Sequence, residues 1–387
     1  MLFRTADMPL SSTLDEYRAC FSKPQFRHFK TFMSGLMLNG KNEKNIMDIS
    51  SSALDGRSQS SLNRFLHGNK WSSMMLDHIR LDMFARGKEG GVLIIDDTLI
   101  EKSGHSMEGA GWLFDHSQGR NIWCHDYLTT LYSNGEDRVP MHLVQYLKQE
   151  ICPQLGRVFK TKLELAIDLI DMALVYVRPK AIVFDSWFGS LVLMGHIQSK
   201  GLPFITEAKG NRLIQTEDGP VQAQVLLTHL NADVFLAIEG DGQFRYCMEK
   251  VTEIRGGMTV KFLFFKEKQD DERALVLMTN ALDMPAQDVL RNYKMRWDVE
   301  VFYRDCKQYL GMGEYQVRKI DVGVIHLLLV ILAYTILKDI ARSRSFQNIF
   351  KGADAVGSMC EALKRYMALK IFKPKRLDEI CKKPCHY

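Results

Sequence analysis

Tyr293, Arg296, Glu300 and Lys307 follow one another at intervals of three, four and seven residues. On one helix, at 100° per residue, these positions share a face within a sector of roughly 60°. Trp297 and Arg304 lie beside them, while Met295, Val299, Phe302 and Cys306 fall on the opposite side, where they can pack on a core. One carboxylate is thereby set among basic and aromatic groups along roughly 20 Å of helix. Such a surface suits a phosphate backbone held beside a metal-binding acid. A solvated face of an ordinary amphipathic helix carries similar residues, so the chemistry depends on acids elsewhere in the chain.

Two upstream stretches supply them. Asp96 and Asp97 close the apolar run Gly91-Val-Leu-Ile-Ile95, and Asp185 closes Ala181-Ile-Val-Phe184. Short continuous apolar runs mark strands buried on both faces. Open α/β sheets place ligands outside the carboxyl ends of such strands. An aspartate there also caps turns, and Ser186 is placed to do the same, so each acid taken singly reads as structural. Together with Glu300 they make a set. Three converging carboxylates repel one another, and a divalent cation relieves that repulsion. Mg²⁺ prefers carboxylate oxygens, water and substrate phosphate. Two such ions about 4 Å apart activate an attacking oxygen and stabilise a leaving one, which is phosphodiester chemistry.

The pattern Tyr-x2-Arg-x3-Glu-x6-Lys resembles the signature of a large group of bacterial insertion-sequence transposases with an Asp-Asp-Glu (DDE) active site. All four positions match, and the resemblance runs from about Gly91 to about Lys307. It implies a ribonuclease H-like core. The family's first acid commonly stands in Asp-x-Thr, here Asp96-Asp97-Thr98, which favours Asp96; Asp97, on the other face of the strand, stays an alternative. The second and third acids map onto Asp185 and Glu300. The resemblance further implies two Mg²⁺ ions, with Mn²⁺ as a substitute, and phosphate contacts from Tyr293, Arg296 and Lys307, with Arg304 beside them. Lys209 and Arg212, just past the last core strand, suit DNA contact or a polar turn equally. The expected reaction is cleavage at the ends of a mobile element in double-stranded DNA, then transfer of the freed 3′-hydroxyl into target DNA. A synaptic homodimer, cytoplasmic and at the bacterial nucleoid, would carry it out. The rivals are a nuclease of the same fold that cuts without joining, and a non-catalytic DNA-binding relic.

The elements that must position these residues can be traced along the chain. Residues 1–88 read as helical and polar, a DNA-binding region. Within them, helices near 45–49 and 60–67 flank Gly56 as a helix-turn-helix, with Ser58 or Ser60 as cap and Arg57, Arg64, His67 and Lys70 toward DNA. Residues 89–320 form the core. Strands at 91–95, 127–132 and 139–146, a helix near 160–177, a strand at 181–184, a helix near 191–200 and a strand at 202–206 give the order β-β-β-α-β-α-β. The turn Ser133-Asn-Gly-Glu-Asp137 marks the hairpin. A mostly β insertion occupies about 211–283, and Pro285 starts the next helix. Residues 321–387 form a basic helical region.

Bulk properties agree with this reading. The 387 residues are 46% hydrophobic and 25% charged, an ordinary soluble composition with a sizeable core. A net charge of +5 permits nucleic-acid binding. The opening residues carry no apolar signal-peptide core, and the apolar run Val322 to Leu337, interrupted by His326, reads as a buried helix rather than a membrane span. Eight scattered cysteines fit reduced thiols. Cys381-Lys-Lys-Pro-Cys385-His386 lacks a distant partner pair and reads as tail, not metal site. Lys102-Ser-Gly-His-Ser106 lacks P-loop spacing, and His105, His116, His125 and His142 lack metal-ligand spacing.

Overall fold

The computed structural model describes residues 1–371 apart from 68–70, 218, 240–241 and 354. Lys70 and the Cys381–His386 segment therefore lie outside the described residues. Polar caps start the first helices: Ser22 and Gln25 form a capping box on α1 (Lys23–Leu38), and Asn45 accepts two backbone N–H bonds on α2 (Ile46–Ser52). Gly56, with φ +70°, makes the turn into α3 (Gln59–His67), where Ser58 accepts from the Ser61 N–H. α4 (Ser73–Phe84) completes the group. Leu62, Phe65 and Leu66 anchor α3 in the core, while Arg64 and His67 stay exposed and Arg57 is half-buried.

The apolar runs then assemble one sheet. Its strands are β1 (Val92–Glu101), β2 (Gly111–Asp115), β3 (Arg120–Ser133), β4 (Arg138–Tyr146), β5 (Ala181–Phe184), β6 (Phe204–Glu207), β7 (Tyr246–Ile254), β8 (Met258–Lys266) and β9 (Leu275–Thr279). The order across the sheet is β7-β8-β9-β6-β5-β1-β3-β2, with Leu236–Ala237 on β7 and β4 also on β3. β5 runs parallel to both β1 and β6, and the other pairings are antiparallel. α5 (Lys162–Ala173), started by a Thr161–Glu164 capping box, and α6 (Leu191–Ser199), capped by Ser190, make the crossovers. This is the mixed α/β architecture expected of a ribonuclease H-like core, with helices at both ends.

One expectation about the sheet needs correction. β1 does not stop at the acids. β3 keeps pairing with it as far as Glu101 opposite Cys124, whereas β5 pairs only as far as Ile95 opposite Phe184. Asp96 and Asp97 thus mark the end of the parallel part, not of the strand. The mostly β segment expected at about 211–283 is present and joins the core sheet. β9 pairs with β6 through Leu277–Glu207, Met278–Thr206 and Thr279–Ile205, so β7 to β9 extend the core sheet itself. Phe262 to Phe265 of β8 are all buried, so this part of the sheet is covered on both faces.

Four long helices follow, α7 (Ala286–Lys294), α8 (Trp297–Tyr309), α9 (Ile320–Ile340) and α10 (Val356–Ile371), with the short helix Gln347–Phe350 before the last. α7 packs on β5 and β6, and α8 on β1. The apolar run near 322–337 lies in α9, which is 21 residues long, longer than its apolar stretch alone implied. By length and composition α9 passes for a membrane span, yet 78% of its most apolar window is buried inside the protein. α1 packs on α9 and α10, and α4 on α9, so helices from both ends of the sequence share one core.

Candidate active site

Strand register brings the first two acids together. Ile95 and Phe184 are parallel partners, so the residues that follow them, Asp96 and Asp185, stand side by side where β5 ends. Side-chain alternation then separates Asp96 from Asp97. On one face, α8 packs on β1, and the Tyr303 hydroxyl donates to the Asp96 carbonyl at 3.0 Å. On the other, Lys162 of α5 places its ammonium 2.5 Å from Asp97 Oδ2 and 2.6 Å from Asp126 Oδ2. Asp97 is thus paired within a partly buried ion cluster, while Asp96 looks toward α8.

Electrostatics mark Asp96 as the strained acid. Burial, with added repulsion from Asp97 and Asp185, pushes its carboxyl up to about 8, even though Arg296 pulls the other way. Asp185 is also raised, chiefly by burial. The Trp187 and Phe188 N–H groups, which donate to its Oδ1 at 2.9 and 3.3 Å, offset part of that rise. The turn-capping role open to Asp185 is therefore real, and both bonds fall on one oxygen.

Glu300 enters from α8. Its Oε1 lies 2.8 Å from Arg296 Nη2, and the Arg296 charge also acts on Asp96 and Asp185. One guanidinium thus serves all three acids. The helix carrying these residues is not continuous: α7 ends at Lys294 and α8 begins at Trp297. The bonds Arg296 N–Tyr293 O, Asp298 N–Met295 O and Val299 N–Arg296 O reach back three residues, a tighter winding than the α-helix. Tyr293 therefore sits on the preceding helix, where its hydroxyl donates to Glu207 Oε2 at 3.2 Å. Lys307 donates to Thr98 Oγ1 at 2.7 Å and to the Leu99 carbonyl at 3.0 Å, which clamps α8 to β1.

The remaining basic positions divide. Arg304 is exposed beside Asp305, and Lys209 is exposed. Arg212 folds back to donate to the Gly189 carbonyl, holding the loop that follows Asp185. Sequence reasoning did not single out Lys162, Asp126, Tyr303 or Asp298. Asp298 accepts from Ser133 Oγ at 2.5 Å and Arg138 Nε at 2.7 Å, fixing the start of α8 to the β3–β4 hairpin. Asp126 left one signal, an acid inside an otherwise buried strand. The others depend on packing between distant segments.

Among the described residues no group of three or more His, Cys, Asp or Glu side chains is drawn together in metal-holding geometry. Asp96 and Asp185 nevertheless form a donor pair suited to Mg²⁺, which takes one or two carboxylates and completes its shell with water and phosphate. Their proton affinities are raised chiefly by burial, with carboxylate repulsion added, and a cation would relieve that repulsion. Glu300 is held instead by Arg296, and would have to leave that pairing to act as a third donor.

Two family models match the chain. One, described as DDE superfamily endonuclease, covers residues 16–225, and the other, described as Transposase DDE domain, covers residues 155–336. No curated protein matches it.

Proposed function

The chain belongs to the DDE superfamily endonucleases, and from that footing we propose that it is a DNA transposase whose centre is Asp96, Asp185 and Glu300. The observation that carries this reading is the β1–β5 register, which sets Asp96 beside Asp185 on the side where α8 brings Glu300. DDE transposases generally use divalent metals. Asp96 and Asp185 would hold Mg²⁺, or Mn²⁺ in its place, with Glu300 completing the set for two ions. When bound, the metal supplies Lewis-acid activation of the attacking oxygen and charge neutralisation at the leaving one.

The chain's own groups do the positioning. Arg296 trades Glu300 for a phosphate of the bound strand, its fork matching two phosphate oxygens. Tyr293 and Arg304 flank that strand, and Lys209 contacts it further along. Lys307 holds α8 in register with β1 and presents its remaining ammonium edge to the backbone. Arg212 keeps the loop after Asp185 in place. The exposed Arg64 and His67 of α3 belong to the end-binding region within residues 1–88. A synaptic homodimer would pair the two element ends, each subunit acting on one.

The deciding experiment sets wild type against Glu300→Gln on linear DNA carrying the gene's own flanks, with and without Mg²⁺. Metal-dependent cleavage at a fixed flank position with joined products, both lost in the variant, is the expected result. Cleavage without joining leaves a nuclease. End binding without cleavage by either protein leaves a DNA-binding protein and removes the catalytic role of the three acids.

A further inference from the structure

β1 ends at Glu101 opposite Cys124, but β3 begins four residues earlier and pairs there with β2. Residues 111–124 therefore run on past the end of β1 as a two-stranded ribbon. Its aromatic residues are placed where folding alone would not put them: Trp112 is 54% and Phe114 50% exposed. Trp112 pairs with Trp123 across the ribbon, ring centroids 5.8 Å apart and planes inclined at 62°, and the His105 ring lies 5.3 Å from that of Trp123. His116 stands 5.0 Å from Phe114. Of the neighbouring acids, Glu101 is paired with Arg120, while Asp115, bonded by Ser117 and Gln118, keeps its charge.

Register gives the direction of this patch. Asp96 pairs with Thr129 of β3, and Trp123 lies six residues before Thr129. An even separation puts both on one face of the sheet, so Trp123, Trp112 and Phe114 project on the Asp96 side, about 20 Å from it. Lys307, clamped to Thr98, lies between them, and the charge of Asp115 on the ribbon reaches it. A run of exposed aromatic faces beside imidazoles, on the same face as a phosphate-handling centre, is complementary to the bases of a nucleic-acid strand. Bases in an intact duplex already stack on one another, so free rings of this kind serve unpaired ones.

We propose that the 111–124 ribbon is a stacking platform for unpaired bases of the strand that leaves the acidic centre, with Trp112 and Phe114 as its main contacts. The proposal rests on the reading of that centre as acting on DNA.

The test measures binding of full-length protein to a labelled blunt duplex and to the same duplex with an unpaired tail of several nucleotides. The wild type should prefer the tailed form by about tenfold or more, with quenched tryptophan fluorescence. Trp112→Ala combined with Phe114→Ala should abolish that preference and keep the blunt-duplex affinity. Trp112→Phe, which retains a ring, should restore most of it. Both side chains are exposed, so an unchanged melting temperature is expected and checks the fold. Equal wild-type affinity for the two duplexes overturns the platform while leaving the DNA reading intact; no binding to either overturns both. A double variant that loses both affinities equally, or that turns a wild-type dimer into a monomer in sedimentation without changing tail preference, assigns the ribbon to another role and overturns the platform.

Discussion

Asp96 and Asp97 are consecutive on β1 yet belong to opposite sides of the sheet, Asp97 bound 2.5 Å from Lys162 and Asp96 set beside Asp185. One side pairs its acid with a fixed internal cation. The other leaves its acid dependent on Arg296 or on a cation from solution.

This division predicts unequal substitutions. Asp96→Asn should lower Mg²⁺-dependent cleavage by at least about 10²-fold with DNA binding retained, whereas Asp97→Asn should keep most of the activity. Single-turnover cleavage of the flank substrate measures both. The reverse order would make Asp97 the first acid.

Lys162→Met should be costly to the fold. It leaves Asp97 and the fully buried Asp126 without their shared cation. Stranding buried charge in this way costs about 3–5 kcal/mol, read from urea unfolding at pH 7. A change within experimental error would show that water already screens the cluster.

Arg296→Gln separates two roles of one side chain. Glu300 is freed, so Mg²⁺ binding followed by calorimetry without DNA should tighten. DNA binding should weaken, and the slope of log K against log salt should shrink by about 0.9, the amount for one phosphate no longer neutralised. If metal affinity stays the same, the Arg296–Glu300 pair does not compete with the cation.

The raised Asp96 carboxyl gives a pH signature. Its folded value of about 8 lies above its ordinary 3.8, so between these limits the folded state holds a proton that the unfolded state has lost. Metal-free stability should therefore fall as pH rises from about 4 to about 8. Metal competes with the same proton, so Mg²⁺ affinity should rise over the upper part of this window and level off above about 8. Thermal melts of wild type and Asp96→Asn, with and without Mg²⁺, test the sign. Parallel curves for the two proteins would rule out Asp96 as the source.

Much of this was legible in sequence because the signals are local. The runs before Asp96 and Asp185 read as buried strands, Ser133 to Asp137 as a hairpin turn, and the segment near 322–337 as a buried helix. What escaped depends on partners far away in the chain. The pairing of β9 with β6 decides that β7 to β9 join the sheet, and no residue in 211–283 announces it. The break between α7 and α8 leaves no proline or glycine to mark it; it follows from Tyr293 docking on Glu207 while Asp298 is drawn to Ser133 and Arg138. The Lys162 cluster needs α5 laid across β1 and β3 before its charges meet.

The packing of α1 on α10 has a consequence for synthesis. More than three hundred residues separate the two helices, and a ribosome adding about 5–20 residues per second needs on the order of 20–60 s to bridge them. Throughout that interval the face of α1 that meets α10 has emerged without that cover. A chain halted before residue 356 keeps that side open, so an incomplete product is a candidate for aggregation and proteolysis rather than a stable DNA-binding fragment.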